Sequence, residues 1–261
     1  MPFSPSIFDA FRLDGQAALI TGSGAGIGRA TALAFAEAGA AVAVTDIDDA
    51  AAHGVVVEIT KAGGVARNYR LDVADEAALV GTIHEAADAF GRLDVLVNNV
   101  GATRRVPTVE LETTDWQRVL DVGLTSAMIG SREAAKHMLR QGGGSIVNVA
   151  SIMGLSGGGL YPNASYHASK GALVNLTRAL AAEWAKGGIR VNAVAPTFLH
   201  TKLTEKLRED AAMVAAIEAR TPLGRFADPE EVSAGILYLA SRAAAMVTGH
   251  TLAIDGGWLA I

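Results

Sequence analysis

The sequence lacks several features on which whole classes of protein function depend. None of its 261 residues is cysteine, so the chain can form no disulfide and offers no thiolate to a metal. Its six histidines are scattered without ligand spacing, and we expect no metal site. The net charge of −5 argues against a nucleic-acid partner, which would require a clustered basic face.

Long apolar runs are missing too, although 50% of the residues are hydrophobic. No uncharged apolar run approaches the ~18 to 20 residues that a membrane span needs. The first residues have no basic stretch ahead of an apolar segment, as a secretory signal would. We therefore expect a cytoplasmic protein without a membrane partner that acts on a small molecule.

Short β-branched runs alternate along the whole chain with longer alanine-rich stretches of helical spacing. This alternation is typical of βαβ units, and strands that are apolar throughout indicate helices on both sheet faces. We predict an α/β fold: one domain over residues 1–261 with a doubly wound, Rossmann-like parallel sheet of about seven strands. The predicted strands are 17–21, 41–45, 65–70, 95–98, 145–149, 189–195 and 251–254, and the predicted helices are 27–38, 49–61, 76–90, 114–140, 165–186 and 229–240.

Residues 197–221 interrupt this rhythm. They contain a helical, charge-bearing segment at 202–220 between two late strands. An insertion at that point lies on the carboxyl edge of a doubly wound sheet, where ligands bind. We therefore predict that residues 197–221 form a substrate lid.

A glycine-rich turn follows the first predicted strand and opens the first helix. The usual G-x-G-x-x-G phasing fails, because the glycines fall at 22, 26 and 28 in a G-x-x-x-G-x-G pattern. Such a turn brings backbone N–H groups and a helix N-terminus to a pyrophosphate, although a tight turn without a ligand is the alternative. The predicted cofactor contacts here are Gly22, Ser23, Gly26, Ile27 and Gly28.

Asp46 ends the second predicted strand, 18 residues after Gly28. A carboxylate at about this distance accepts a hydrogen bond from the adenosine ribose and repels a 2′-phosphate. Asp46 could instead help to start the next helix, but Asp48 and Asp49 are better placed as caps. The sequence therefore predicts NAD as the cofactor.

Tyr166 and Lys170 lie four residues apart at the start of a predicted helix, so their side chains share one face. A free tyrosine titrates near ~10, and acid–base work near neutral pH needs a shift of about three pH units. A lysine cation and a positively charged nicotinamide ring both favour the phenolate. We predict that Tyr166 transfers the proton in a catalytic reaction.

With these features the sequence resembles the short-chain dehydrogenase/reductase family from about residue 13 to residue 258. The resemblance implies that Ser151 bonds the substrate oxygen, that Tyr166 transfers its proton, and that Lys170 binds the nicotinamide ribose and lowers the tyrosine pKa. It also implies a homotetramer in which the helices at 114–140 and 165–186 pair. The matching motifs are Thr21-Gly22-x-x-x-Gly26-x-Gly28, Leu71-Asp72-Val73, Asn98-Asn99-Val100-Gly101, Ser151, Tyr166-x-x-x-Lys170, Pro196 with Thr201, and Asp255-Gly256-Gly257.

By the same resemblance, Asp72 and Val73 flank the adenine and Asn98 holds the central strand beside the cofactor. The remaining implied cofactor contacts are Asn99, Pro196 and Thr201.

Three departures from the family pattern stand out. Gly123 occupies the position of the usual asparagine in the long central helix, so we expect a weakened or rerouted proton relay. Thr197 replaces the usual glycine after Pro196 and adds a hydroxyl near the nicotinamide. The spacing from Ser151 to Tyr166 is longer than usual and lengthens the loop at 156–165, as in sugar-alcohol dehydrogenases of the family.

The expected function is NAD-dependent interconversion of a secondary alcohol and a ketone, on a polyol, a sugar or a sugar acid. A 3-oxoacyl thioester reductase is the close alternative, although Asp46 disfavours the NADPH that such reductases prefer. A nucleotide-binding regulatory protein without catalysis is the alternative from another class, supported by Gly123.

Arg104 and Arg105 follow the fourth predicted strand and border the expected crevice, where a guanidinium could hold a substrate carboxylate. A pair of solvated surface charges is the alternative. His200, in the predicted lid, is a weaker candidate for the same contact.

Overall fold

The structure, a computed structural model, describes residues 6–201 and 204–261. These residues form a seven-stranded sheet in the order β3-β2-β1-β4-β5-β6-β7, in which all neighbouring strands run parallel. The predicted Rossmann-like fold is confirmed. The strands are β1 Ala17–Ile20, β2 Ala41–Asp46, β3 Val65–Arg70, β4 Val95–Asn98, β5 Gly144–Val149, β6 Ile189–Pro196 and β7 Thr251–Ile254.

Helices cover both faces of this sheet. α1, α2 and α9 pack on one face, and α3, α5 and α6 pack on the other. The helices of the described residues are α1 Gly26–Glu37, α2 Asp49–Lys61, α3 Glu76–Phe90, α4 Thr113–Leu120, α5 Ser126–Gln141, α6 Ala164–Trp184, α7 Glu205–Arg208, α8 Ala211–Ala219 and α9 Pro229–Ala240.

The central strands are apolar throughout because successive side chains enter two different cores. In β1, Ala18 and Ile20 point into the core under α1 and α9, whereas Leu19 points into the core under α3 and α5. All three side chains are fully buried, and each large one contributes roughly 1.5–3 kcal/mol to stability. The apolar runs of the sequence therefore follow from the two-sided cover.

The order of the strands places a crevice between β1 and β4. The chain moves outward from β1 to β3 at one edge, then returns to β4 beside β1 and continues to the other edge. Loops that leave the carboxyl ends of β1 and β4 therefore diverge, and ligands bind at such a switch point.

The long helix predicted at 114–140 is divided in the structure. A π-helical turn over Asp121–Thr125 joins α4 to α5, with Gly123 buried at its centre. Single π turns inside α-helices are frequent at functional sites.

Two short helices, α7 and α8, form the predicted lid region. Leu207 and Ile217 anchor them in an aromatic cluster that includes Phe198 and Trp258. Residues 202 and 203, where the predicted helical segment begins, lie outside the described residues, as do the first five residues of the predicted single domain.

Candidate active site

A cavity of about 890 Å³ opens at the carboxyl ends of the strands and lies within the ~300–1,000 Å³ range of small-molecule sites. Its wall contains most of the predicted site residues, because every strand of a parallel sheet delivers its following loop to the same edge. These residues are Gly22, Gly26, Ile27, Asp46, Asp72, Val73, Asn99, Ser151, Tyr166, Lys170, Pro196 and Thr201.

The glycine turn leaves the N-terminus of α1 open toward the cavity. Gly22 and Gly26 have φ angles of +62° and +53°, in the left-handed region that L side chains rarely adopt. Ala25, at the N-cap position, makes no side-chain hydrogen bond to the first turn of the helix. Backbone N–H groups at this helix end therefore face the cavity without a side-chain cap, which suits a phosphate.

Ser23 and Gly28 do not line the cavity, but both shape the glycine turn. The Ser23 hydroxyl donates to the Ile20 carbonyl at 2.9 Å and accepts from the Thr45 N–H at 3.0 Å. Its side chain thus ties β1 to β2 and points away from the cavity. At Gly28, a Cβ would collide with the Gly22 carbonyl, so a glycine is required for the helix to approach the turn.

Asp46 lies beside the glycine turn with its carboxylate in the cavity wall. One oxygen accepts from the Gly24 N–H at 2.9 Å and the other from the Asp48 N–H at 3.0 Å. Asp48 itself caps α2 through the Ala51 N–H, as expected. A carboxylate has about four acceptor sites, so Asp46 can also accept from a ribose hydroxyl.

Asp72, Val73 and Asn99 line the same end of the cavity. The Asn99 amide donates to the Thr21 carbonyl at 2.9 Å and to the Gly22 carbonyl at 3.0 Å, which fixes the glycine turn to the end of β4. The Asp72 carboxylate accepts from the Ala74 N–H at 3.0 Å and remains exposed.

Buried amides support the sheet under the site. The Asn98 amide donates to Asn148 Oδ1 at 2.8 Å and to Ser131 Oγ at 3.0 Å. Asn148 donates in turn to Thr177 Oγ1 at 2.9 Å. These bonds connect β4, β5 and α6, in agreement with the structural role that the resemblance implies for Asn98.

Ser151 and Tyr166 meet in the cavity wall. Ser151 follows β5 and caps a short 3₁₀ turn over Ile152–Gly154, whereas Tyr166 lies in the first turn of α6. Burial raises the pKa of Tyr166, and a hydrogen bond from Ser151 opposes that effect. In this structure the effect of burial is the larger, so the phenol is protonated near neutral pH.

Lys170 lies one turn further along α6, with its Nζ 5.7 Å from the centre of the Tyr166 ring. The Nζ donates to the Val149 carbonyl at 2.7 Å. Burial lowers the pKa of Lys170 to about 8. A Cβ at Gly101 would lie 3.2 Å from this Nζ, so a glycine there leaves room for the ammonium group.

Gly154 fixes the distance between the Ser151 turn and α6, and the sequence did not indicate this role. A Cβ at Gly154 would lie 2.6 Å from the Lys170 carbonyl oxygen and 3.0 Å from the Gly171 nitrogen. Two backbone segments therefore touch directly between the serine and the lysine. The feature of the sequence that could have indicated this role is a glycine three positions after Ser151.

Pro196 ends β6, and Thr197 and Thr201 follow it in the cavity wall. Thr197 Oγ1 is buried and has no hydrogen-bond partner among the described residues. Thr201 lies against the glycine turn, because a Cβ at Gly26 would approach its methyl group to 3.3 Å. The orphaned hydroxyl, the glycine cradle and the uncapped helix end together fit a dinucleotide.

Gly123 faces Ser169, the residue before the catalytic lysine candidate. A Cβ at Gly123 would lie 2.6 Å from Ser169 Oγ, which is buried without a partner among the described residues. An asparagine there would need Ser169 to turn away. Glycine and serine thus form a matched pair at this departure from the family.

Arg104 and Arg105 point in different directions. Arg104 is exposed and pairs with Asp115 at 2.7 Å, whereas Arg105 lines the cavity with its guanidinium 5.0 Å from the Tyr161 ring centre. His200 is exposed, 5.4 Å from the Phe226 ring, and does not line the cavity.

The lengthened loop at 156–165 brings two further residues to the cavity, Tyr161 and Asn163. Asn163 Oδ1 accepts from Thr103 Oγ1 at 3.1 Å, which joins this loop to the one after β4. The sequence indicated only the extra loop length. No cluster of histidine and carboxylate side chains within 6–201 and 204–261 could hold a metal ion, and no helix there could span a membrane.

Comparisons with known proteins agree with this geometry. A family model described as Enoyl-(Acyl carrier protein) reductase matches residues 22–259. D-threitol dehydrogenase of Mycolicibacterium smegmatis is 40% identical over 248 residues, 95% of this chain and 94% of that protein. 2-Dehydro-3-deoxy-D-gluconate 5-dehydrogenase of Escherichia coli is 38% identical over 255 residues, 97% of this chain and 99% of that protein.

Solved structures show the same likeness. A gluconate 5-dehydrogenase from Burkholderia cenocepacia J2315, in complex with NADP and tartrate, superposes with a TM-score of 0.93 at 37% identity, covering 98% of this chain and 100% of that one. The chain belongs to the short-chain dehydrogenase/reductase family. It is an oxidoreductase that interconverts alcohols and ketones with a nicotinamide dinucleotide.

Proposed function

We propose that this protein is an NAD(H)-dependent dehydrogenase that interconverts a secondary alcohol and a ketone on a polyol or a sugar-derived acid. The observation that carries the proposal is the meeting of Ser151, Tyr166 and Lys170 in one cavity beside an open helix N-terminus. Two relatives support the substrate class, because they are named as dehydrogenases of D-threitol and of 2-dehydro-3-deoxy-D-gluconate.

In the direction of oxidation, Ser151 bonds the substrate oxygen and Tyr166, as phenolate, accepts the hydroxyl proton. A nicotinamide dinucleotide bound in this cavity would supply the hydride acceptor for the oxidation. Lys170 binds the nicotinamide ribose, and its cation favours the phenolate. In the reverse direction Tyr166 returns the proton to the alkoxide oxygen.

The remaining cofactor contacts follow the cavity wall. Gly22, Gly26 and the N-terminus of α1 bind the pyrophosphate, as helix ends do. Asp72 and Val73 flank the adenine, and Thr197 and Thr201 lie near the nicotinamide. Ser23 and Gly28 act by shaping the turn, and any contact of Ser23 to the phosphates would come from its backbone.

We infer a preference for NAD(H) over NADP(H) from Asp46. Its carboxylate is held in the cavity wall by two backbone N–H groups, and there it would repel a 2′-phosphate. The structure from B. cenocepacia contains NADP, so the inference of NAD(H) rests on Asp46 of this chain and not on that relative. The test is the ratio of kcat/KM with NAD to kcat/KM with NADP, measured for the unmodified protein and for Asp46→Ala.

We expect Asp46→Ala to reduce that ratio at least tenfold. The matched control is Asp72→Ala, which removes a carboxylate from the same end of the cavity without affecting the ratio. An unchanged ratio in Asp46→Ala would leave Asp46 as a residue that shapes the start of α2.

The substrate class is tested by turnover of polyols, sugar acids and 3-oxoacyl thioesters with both cofactors. Higher kcat/KM on a 3-oxoacyl thioester than on any polyol or sugar acid would establish the alternative. Lack of turnover with every alcohol and ketone would instead support a regulatory nucleotide-binding protein.

Three further properties belong to this proposal. Residues 197–221 act as a substrate lid, supported by the cavity-lining positions of Thr197, Leu199 and Thr204. The protein is a homotetramer in which α5 and α6 pair between subunits. It works in the cytoplasm, where a small-molecule dehydrogenase finds its nicotinamide cofactor.

A further inference from the structure

Arg105 is the arginine of the loop after β4 whose side chain enters the catalytic cavity. Its neighbour Arg104 is directed to the surface and pairs with Asp115 in α4. The two residues therefore share a loop and a charge but not an environment. Arg105 lines the cavity together with Ser151 and Tyr166.

An aromatic wall fixes the position of the Arg105 guanidinium. The group stacks on Tyr161 at 5.0 Å from the ring centre, and Tyr161 contacts Phe198 edge-on at 6.4 Å. Phe198 in turn packs against Trp258 at 5.5 Å. The guanidinium also hydrogen-bonds Tyr161, and a side chain held by such contacts loses less freedom on binding a ligand than a free one.

Six charged side chains of the described residues line the cavity, and two of them, Arg118 and Asp121, come from α4 and the π turn that follows it. Asp46 and Asp72 lie at the end near the glycine turn, whereas Arg105 and Lys170 lie near Tyr166. Burial raises the pKa of Tyr166, and the positive charge of Arg105 opposes this effect, which places Arg105 within electrostatic range of the reacting hydroxyl.

Lys170 donates to the Val149 carbonyl and is assigned to the nicotinamide ribose, whereas Arg105 lies beside Tyr166, where the substrate is proposed to bind. A guanidinium has five N–H donors in a planar fork and can serve more than one partner at once. The fork matches the two oxygens of a carboxylate.

We infer that Arg105 binds a carboxylate of the substrate and that this chain therefore acts on hydroxy acids derived from sugars in preference to neutral polyols. The inference rests on the proposed function, because it assumes that the alcohol being oxidised lies against Ser151 and Tyr166. It assigns to Arg105 the specificity for substrate charge, with Tyr161 as the residue that positions the guanidinium.

The experiment compares Arg105→Met, Arg105→Lys and Arg104→Met on D-gluconate and on D-glucitol, which match in carbon number and differ in the carboxylate. Arg105→Met should reduce the ratio of kcat/KM on the acid to kcat/KM on the polyol by about 10- to 100-fold, as expected for loss of a charged hydrogen bond. Arg105→Lys should lie between, since it keeps the charge and loses the fork. Arg104→Met should leave both substrates unaffected.

A binding measurement decides the inference independently of turnover. Tartrate is titrated into each protein with NADH bound, and NADH fluorescence reports the dissociation constant. Arg105→Met should weaken tartrate binding at least tenfold relative to Arg104→Met. Equal binding in the two variants, or equal loss on the acid and the polyol, would overturn the role of Arg105.

The two levels of the proposal fail differently. If no alcohol is oxidised but tartrate binding depends on Arg105, the proposed function fails and the anion site stands. If D-glucitol is oxidised and neither D-gluconate turnover nor tartrate binding depends on Arg105, the proposed function stands and the anion site is wrong.

Discussion

At the scale of single residues, the protein concentrates its chemistry on three side chains whose burial controls their charge. Ser151 and Tyr166 share a hydrogen bond, and Lys170 is buried against the Val149 carbonyl. Burial disfavours the charged form of each group, the phenolate of Tyr166 and the ammonium of Lys170. The free protein therefore holds a protonated Tyr166, and a positively charged nicotinamide ring would add to the cations that favour the phenolate.

We predict that Tyr166→Phe abolishes turnover and leaves dinucleotide binding nearly unchanged. The substitution keeps the ring and removes only the group that transfers the proton. Turnover is measured by NADH absorbance and binding by NADH fluorescence titration. Retention of more than a few per cent of activity would contradict the assignment of Tyr166.

Lys170 makes stability depend on pH in a definite window. Its pKa is lowered by burial from 10.5 to about 8, so between these values the unfolded chain carries a proton that the folded chain does not. The free energy of unfolding should therefore rise with pH across this window, by up to ~3 kcal/mol relative to Lys170→Met.

Urea titrations of both proteins without cofactor, at several pH values from about 8 to 10.5, measure this difference. The Met variant has no group to titrate at this position and serves as the reference. A difference between the two proteins that stays constant with pH would show that Lys170 titrates normally.

At the scale of structural elements, a direct backbone contact holds α6 against the turn after β5. Gly154 in that turn touches the backbone of Lys170 and Gly171. We predict that Gly154→Ala lowers stability by about 1–3 kcal/mol and kcat by more than tenfold, because the added methyl separates Ser151 from Tyr166.

The matched control for this variant is Gly157→Ala. Nothing lies within 4 Å of a Cβ at Gly157, and its backbone is not left-handed, so we expect stability and kcat close to those of the unmodified protein. Thermal denaturation and steady-state kinetics on both variants test the pair. Equal behaviour of the two variants would remove the positioning role from Gly154.

The π turn between α4 and α5 is the second structural adjustment near the site. Gly123 lies in this turn and leaves room for Ser169, whose hydroxyl would lie 2.6 Å from an added Cβ. The missing asparagine side chain is thus accompanied by a serine that occupies the space beside it. The resemblance identified the departure, and packing showed what fills its place.

At the scale of the whole molecule, we predict a homotetramer with α5 and α6 at one interface. Small exposed side chains recur on the outer face of α6, at Ala172, Ala179 and Ala182, and permit a close approach of two helices. Light scattering at micromolar concentration should give four times the chain mass of 26.8 kDa. A monomer under these conditions would contradict the prediction.

Two variants locate the interface. Ala179→Arg places a long charged side chain on the outer face of α6 and should shift the protein to a smaller assembly. Ala77→Arg makes the same change at an exposed position of α3 and should leave the tetramer intact. The same result for both variants would place the interface elsewhere.

The sequence by itself determined the fold and the edge of the sheet at which the site lies. The predicted limits of β1 to β7 agree closely with the structure. The inner strands are apolar because both of their faces are buried, whereas the edge strands β3 and β7 are partly exposed. Motifs after β1, β2, β4, β5 and β6 could be placed in one cavity, because parallel strands all end at one edge.

Only the tertiary structure decided which side chains face that cavity. Ser23 turns inward to join β1 and β2, Arg104 turns outward to Asp115, and Arg105 stacks on Tyr161. Gly154 acquired its role from a contact with α6. In loops no regular periodicity directs successive side chains, so their orientation depends on partners from other elements that packing alone brings together.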